Sequence, residues 1–462
     1  LYSIRSDPPA CRRTTAALIR EKKEKNMSEM TNPYWWEAAP PAALPPADLP
    51  AHAEIVIIGA GFTGLSAAIT LARSGRDVVV IEKGKIGEAA SARNGGITSG
   101  NLRYDYHQLC KKFGHEKADA IEAESFAARA DLHRFITEEN INCDYHDCGR
   151  MVGLYSTDNQ DNITAELARI EARYGVKGRY LPPSELSDYT ASTHYTAGVF
   201  RDDIGGIHPA KLLHEMKRIA LESGAKIFTQ TAITDIVRDG VDFTLMASNQ
   251  IAAHHSLTAE HVIAATNAYT DRALPWLKRR LVPVISEIIV TEQLGRNQVR
   301  ALMPKLSMFG EARRIGYYYR PTPDGNRILL GGRRLKHTDK AAKSLLHEGL
   351  AGLFPELADA QIDHYWSGFV AFPFDQTPKL AVHDGVIYPC GYCGSGTVWA
   401  RWMGQKAAMM ILGTDATSAF ARMPMRSMPF YFGGFDSDSP WFARLAISYY
   451  RLRDMISPLK SG

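Results

Sequence analysis

Much that would place this chain in an easy class is missing from it. Six cysteines in 462 residues are too few for a disulfide framework, so a reducing, cytoplasmic compartment is expected. No excess of one charge sign covers the body. The net charge of +4 lies within residues 1–26, where seven basic side chains meet three acidic ones, and the remainder is neutral. That argues against nucleic acid as a partner. The longest uncharged run, Ile55 to Ala72, opens on β-branched residues, holds three glycines and ends at Arg73, which suits a strand and a helix better than a membrane span. There is no P-loop, no G-x-S-x-G elbow, no internal repeat and no second nucleotide fingerprint, so a nicotinamide reductant is not expected.

The basic leader also lacks something. It has no apolar core of a signal peptide, and Glu21 and Glu24 fit a transit peptide poorly. Its first methionine is Met27. Residues 1–33 are read as a disordered leader, an over-extended chain start.

What is present begins after the proline-rich stretch Pro40 to Pro50. Glu54 to Ile58 has the pattern of a buried strand, Gly59-Ala-Gly61-Phe62-Thr63-Gly64 follows, Leu65 to Arg73 is helical in pattern, and Val78 to Ile81 leads to Glu82 and Lys83. Gly59 permits a tight turn, Gly61 lets the backbone approach a pyrophosphate, Gly64 lets helix and strand pack closely, and the helix N-terminus stabilises the anion. Glu82 stands 18 residues after Gly64, where a carboxylate reaches ribose hydroxyls. Both FAD and NAD carry that ribose. The next segment favours FAD: Ser91-Ala-Arg93-Asn94-Gly95-Gly96-Ile97 is a second glycine-rich loop where an ordinary NAD domain would continue into a crossover helix. A surface loop of helix-capping residues is the plainer alternative.

At this point the residues resemble a known family, the FAD-dependent D-amino-acid oxidase/sarcosine oxidase superfamily, and within it the bacterial gamma-glutamylputrescine oxidase branch. The likeness runs from Tyr34-Trp35-Trp36 to Ser448–Asp454 and is most specific in Ala90–Gly96; Gly206-Ile-His-Pro209, Thr231-Ala-Ile233, His261–Tyr269, Tyr317–Arg320 and Gly391–Gly396 carry the rest. The resemblance implies an α/β (α+β) fold, a Rossmann-like FAD-binding domain (34–140, 200–275 and 378–462) with an inserted antiparallel-sheet substrate domain (141–199 and 276–377). It also implies that Ile233 meets the adenine through its backbone and that Ala265-Thr266 returns the chain to the cofactor. Covalent attachment in the sarcosine oxidase branch would need a cysteine near 366–378; none stands there, so the FAD is expected to be non-covalent.

Gly391-Tyr392-Cys393-Gly394-Ser395-Gly396-Thr397 feeds a helical pattern, offering backbone donors and a positive helix end. In the family this end faces the flavin pyrimidine ring. The relatives commonly have serine at Cys393 and histidine at Ser395, so Ser395 stands where a charge-stabilising group would be. Arg320 ends a strand before the turn Pro321–Gly325 and is read as holding a substrate carboxylate, the alternative being a hairpin cap paired with Asp324. Arg320 and Ser395 are thus the candidate catalytic residues, and Trp366, Gly368 and Asp375 are further pocket candidates. Cys390-Gly-Tyr-Cys393 also matches a dithiol pattern, although flavin disulfide reductases place theirs elsewhere. Cys143, His146 and Cys148 lack the count and spacing of tetrahedral zinc, and no metal is expected. Tyr34-Trp-Trp36 with Trp441 and Phe442 reads as terminal packing or, alternatively, an amine cage.

Three functions follow as expectations. The first is an amine oxidase acting on gamma-glutamylputrescine or a related amine, with electrons passing to oxygen. The second is an amino-acid oxidase or dehydrogenase feeding a quinone or carrier. The third is a flavin-binding subunit without catalysis of its own.

Overall fold

The structure is a computed structural model that describes residues 32–249, 254–334, 338–421, 423–428, 445, 448–450 and 452. Nearly all of the leader, together with Trp441 and Phe442, lies outside the described residues.

Two eight-stranded sheets organise the chain. The first is built from β1 (His52–Ile58), β2 (Val78–Ile81), β6 (Lys226–Phe228), β7 (Ala232–Asp239), β8 (Asp242–Ser248), β9 (His255–Ala264), β15 (Lys379–His383) and β16 (Val386–Cys390). Its order is β15-β16-β9-β1-β2-β6, with β7 and β8 forming a ribbon off β9. β1 runs parallel to β2 and β9, in register Ile55↔Val78 and Ile55↔His261. A parallel strand covered on both sides must be apolar on both faces, and β1 divides accordingly. Ile55 and Ile57 join the core beneath helices α1 (Phe62–Arg73), α3 (Pro209–Glu222) and α5 (Gly396–Leu412), while Val56 and Ile58 join the core on the opposite face. The long helix α2 (His115–Glu138) is pinned to α5 by buried ion pairing of Asp131 with Arg401 at 3.1 Å and by Trp402 donating to Glu124 at 2.7 Å.

The second sheet holds β3 (Arg150–Leu154), β4 (Gly178–Leu181), β5 (Ala197–Arg201), β10 (Val282–Thr291), β11 (Met308–Glu311), β12 (Tyr318–Pro321), β13 (Ile328–Arg333) and β14 (Ile362–Phe372), ordered β14-β10-β13-β12-β11-β3-β5-β4. It is antiparallel except at one seam, where β11 runs parallel to β3. The exception has a simple cause: the seam joins two separate passages of the chain, and no hairpin sets the direction there. The β12–β13 hairpin pairs Tyr318 with Gly331 and Arg320 with Leu329. Side chains alternate along a strand, so Tyr319 enters the core beside Phe309 and Phe354, while Tyr318 and Arg320 face the other way, onto the second glycine loop. Helix α4 (Asp339–Leu353) covers the Tyr319 side.

Candidate functional site: three glycine loops beneath the second sheet

The first loop is made by its own strand and helix. Gly59 sits at φ +103°, a conformation side chains rarely adopt, with Ala265 O 3.2 Å from where its Cβ would stand. A Cβ on Gly64 would collide with the Gly59 carbonyl. Thr266 begins the turn that follows β9, its Oγ1 2.7 Å from Thr270 Oγ1. At the end of β2, the Glu82 carboxylate accepts from Ala60 N–H at 2.8 Å and Gly84 N–H at 3.0 Å. Burial raises the Glu82 carboxyl above the ordinary carboxylate range, and those two donors counter it only in part. The Glu82 carbonyl takes Thr231 N–H at 3.0 Å, which brings buried Ile233 at the start of β7 to the same end of the sheet. Lys83 points outward to an exposed ion pair with Asp271 at 2.8 Å.

The second loop lies across the opening of α1. Ser91 Oγ accepts from Phe62 N–H at 3.0 Å, so a serine oxygen occupies one of the helix's N-terminal donors. Asn94 ties the loop to itself. Its Nδ2 donates to the carbonyls of Ala90 (3.1 Å) and Ser91 (2.9 Å), and its Oδ1 accepts from Gly96 N–H (2.8 Å) and Thr397 Oγ1 (3.4 Å). Arg93 is buried, donating to the carbonyls of Glu88 at 2.6 Å and Ser367 at 3.1 Å. Ile97 forms a β-bridge to Gly206. Among the described residues, the N–H groups of Asn94, Gly95 and Ile97 meet no protein acceptor.

The third loop leaves β16 and enters α5. Gly391 N–H donates to Asn267 Oδ1 at 2.9 Å, and Tyr392 OH lies 2.9 Å from Thr63 Oγ1, joining this loop to the first. Gly394 is exposed, and Ser395, which precedes Gly396 at the start of α5, places its Oγ 3.5 Å from Ser99 Oγ. Both cysteines are buried and free, and burial pushes the Cys393 thiol up to about 12 and Cys390 higher still. A dithiol reaction needs an accessible thiolate, which neither supplies. Among the described residues no group of three or more metal-ligating side chains converges.

The other pocket candidates divide. Gly368 packs near Arg93 and Tyr269, whereas Asp375 pairs with the buried Lys379. Arg320 is fully buried, with Nη1 donating to Gly96 O at 2.8 Å and Ile207 O at 2.9 Å, and Nε to Pro321 O at 3.0 Å. Burial lowers its pKa to about 10. It makes no ion pair with Asp324, which instead accepts from Thr322 and Asn326.

One residue escaped the sequence reading. Arg333 ends β13, and Arg334 follows it, turned the opposite way. Arg334 is taken by Glu287 at 2.6 Å, by Asp339 and by Tyr365. Arg333 stands on the Tyr318 side, near Arg103 and Cys393, with its guanidinium 4.8 Å from the Phe372 ring. Among the described residues it has no carboxylate and no hydrogen-bond acceptor. Burial and the Arg103 charge lower its pKa to about 10, still cationic at neutral pH. The doublet of arginines at a strand end was the available signal, because alternation sends only one of them to each face.

The three loops meet as an FAD requires: a glycine cradle where side chains would collide, an acid at the end of β2, and amide donors left open in the second loop. Comparison with known proteins agrees. The model of the family DAO, FAD dependent oxidoreductase, matches residues 54–410. Gamma-glutamylputrescine oxidoreductase of Escherichia coli is 30% identical over 410 residues, covering 87% of this chain and 93% of that protein. A glycine oxidase of Pseudomonas aeruginosa is 27% identical over 366 residues, 75% of this chain and 91% of its own. Among solved structures, glycine oxidase from Geobacillus kaustophilus superimposes with a TM-score of 0.67 at 18% identity, covering 83% of this chain and all of that one. The chain belongs to the DAO family of FAD-dependent oxidoreductases.

Proposed function

We propose that this enzyme oxidises the terminal C–N bond of an amine that also carries a carboxylate, of the gamma-glutamylputrescine type. The observation carrying this reading is Arg333, a half-buried cation beside the second and third loops with no anionic partner among the described residues. Arg103 adds a second positive charge there. A guanidinium so placed suits a carboxylate, held by charge-assisted hydrogen bonds. The likeness to a gamma-glutamylputrescine oxidoreductase over nearly its whole length supports the same class.

Bound FAD supplies the hydride acceptor, and the chain's own residues bind and orient. Arg333 would hold the anionic end, and Tyr318, packed against Gly95 and Gly331, would wall the amine end. The balanced reaction takes the amine, dioxygen and water to aldehyde, ammonia and hydrogen peroxide. The FAD is held without a covalent bond in this reading. A cytoplasmic location belongs to it as well, consistent with five free cysteines among the described residues and with no described helix long and apolar enough to cross a membrane.

The test is the visible spectrum under nitrogen, with gamma-glutamylputrescine added and air admitted afterwards. Bleaching followed by rapid recovery with peroxide is expected. Bleaching without recovery in air would make the enzyme a dehydrogenase, and no bleaching would remove this substrate. Arg333→Met should raise KM for gamma-glutamylputrescine about tenfold or more while kcat changes little, because the lost contact is to a part of the substrate that does not react. An unchanged KM would withdraw the role.

A further inference from the structure

The second glycine loop is gripped by side chains far from it in sequence. Trp366 on β14 donates Nε1–H to Arg93 O at 2.9 Å, and Trp35, in the N-terminal turn Tyr34–Trp36, donates Nε1–H to Asn94 O at 2.8 Å. Arg320 on β12 donates to Gly96 O at 2.8 Å, and that oxygen also accepts from Ile207 N–H at 2.8 Å. All three donor side chains are fully buried. Trp35 is itself fixed, edge-on to His208 at 4.9 Å with the Arg320 guanidinium 5.7 Å from its ring.

A trans peptide is planar, and its C=O and N–H point in opposite directions. The carbonyl of Arg93 shares a peptide unit with the N–H of Asn94, that of Asn94 with Gly95, and that of Gly96 with Ile97. Those three N–H groups are the ones that meet no protein acceptor among the described residues. Fixing each oxygen therefore fixes the direction of the hydrogen on the same peptide, away from that oxygen's donor. With glycine at 95 and 96, little in the local backbone prevents a peptide flip, so the outside donors set the direction.

We propose that Trp35, Arg320 and Trp366 are positioning residues for the flavin site, a three-point carbonyl clamp that presents the amides of Asn94, Gly95 and Ile97 to the FAD. Two of the three points stand on the second sheet, so packing of that sheet controls how the cofactor is held. Arg320 then serves the cofactor loop rather than the substrate.

The test follows FAD release from purified holoenzyme, read as recovery of flavin fluorescence, beside the flavin absorption envelope and the melting temperature of the apoprotein. Trp35→Phe and Trp366→Phe keep an aromatic ring and remove one donor; Arg320→Met removes the third point. Each should speed FAD release about tenfold: the tryptophan variants leave one buried carbonyl unpaired, and Arg320→Met leaves Gly96 O with the Ile207 N–H alone and takes the donor from Ile207 O. Each should also alter the vibronic shape of the flavin band, with the apoprotein melting as in the wild type. Arg320→Lys, which retains one donor, should recover part of the effect. Release and spectrum unchanged in both tryptophan variants would overturn the clamp. An Arg320→Met protein with wild-type FAD release and spectrum would overturn it too, returning Arg320 to the substrate. FAD release that rises only in step with a fall in apoprotein melting would also overturn it, since general destabilisation then suffices.

Discussion

The first and second glycine loops meet at one candidate cofactor site and are built in opposite ways. The loop at 59–64 is held by the strand before it and the helix after it: Gly64 is demanded by the Gly59 carbonyl and Gly59 by Ala265 O after the adjoining strand, while Gly61 faces Ser91 of the second loop. The loop at 88–97 has a short 3-10 turn, Ala90–Ala92, and takes its shape from residues as distant as Trp35, Arg320 and Trp366. A loop made by local geometry should break when its own residues change. A loop made by tertiary contacts should loosen when its distant neighbours change.

The largest effect should come from striking the locally built loop. Gly64→Ala drives a methyl group into the Gly59 carbonyl, and neither backbone can retreat because α1 packs closely on α5, where a Cβ at Gly404 would collide with Thr63 O. The expected loss is about 3 kcal/mol, the upper end for overpacking, and the purified protein should contain little flavin. Flavin-to-protein absorbance and the unfolding midpoint check both. Full FAD content with a wild-type midpoint would mean that the first loop also bends to its surroundings, and the contrast would collapse.

A smaller effect sharpens the contrast through pH. Glu82 belongs to the first loop, and burial raises its carboxyl in the folded chain. A folded value above the unfolded one means the folded state binds the proton more tightly. Its contribution to stability is therefore fully present below the ordinary carboxylate range and is lost as pH rises through the raised value. Apoprotein stability should thus fall with rising pH across that window, and Glu82→Gln should remove that part of the slope. With FAD bound, ribose hydroxyls donating to the carboxylate would shrink the wild-type slope. Thermal unfolding across pH, apo and holo, measures all three; identical slopes in wild type and Glu82→Gln would remove Glu82 as the cause.

The same difference explains what could be read from the chain beforehand. Strand, glycine turn, helix and the closing acid at Glu82 follow from spacing alone, because each is a consequence of residues close in sequence. The β12–β13 hairpin is legible from Tyr317–Arg320 and Pro321–Gly325 for the same reason, and the structure puts Tyr318 and Arg320 on one face of it. What that face meets was not legible. The resemblance implies that Arg320 reaches a substrate, whereas the guanidinium reaches Gly96 O and Ile207 O, residues more than a hundred positions away. Tyr34-Trp35-Trp36 reads mainly as terminal packing; it does pack, but onto the second glycine loop, with Trp36 beneath the Arg93 guanidinium at 4.5 Å. Arg333 is not distinguishable from Arg334 in the sequence, because two adjacent arginines look alike until one of them finds Glu287.

The third loop should show the least response of all, and so it tests whether its cysteines take part in chemistry. Cys393 sits at φ +53°, buried, with its thiol donating to Gly391 O at 3.3 Å. Burial holds that thiol protonated at neutral pH, with a pKa of about 12. A serine at this position keeps the donor, the size and the strained backbone, so Cys393→Ser should cost under about 1 kcal/mol and leave turnover within about twofold. Iodoacetamide should reach half-buried Cys110 and Cys148 before Cys390 or Cys393, without loss of activity. A large fall in turnover from Cys393→Ser, with FAD retained, would mean that the thiol itself takes part in the reaction. The third loop would then differ from the first two, whose polar groups at the candidate site are backbone amides, hydroxyls and one carboxylate.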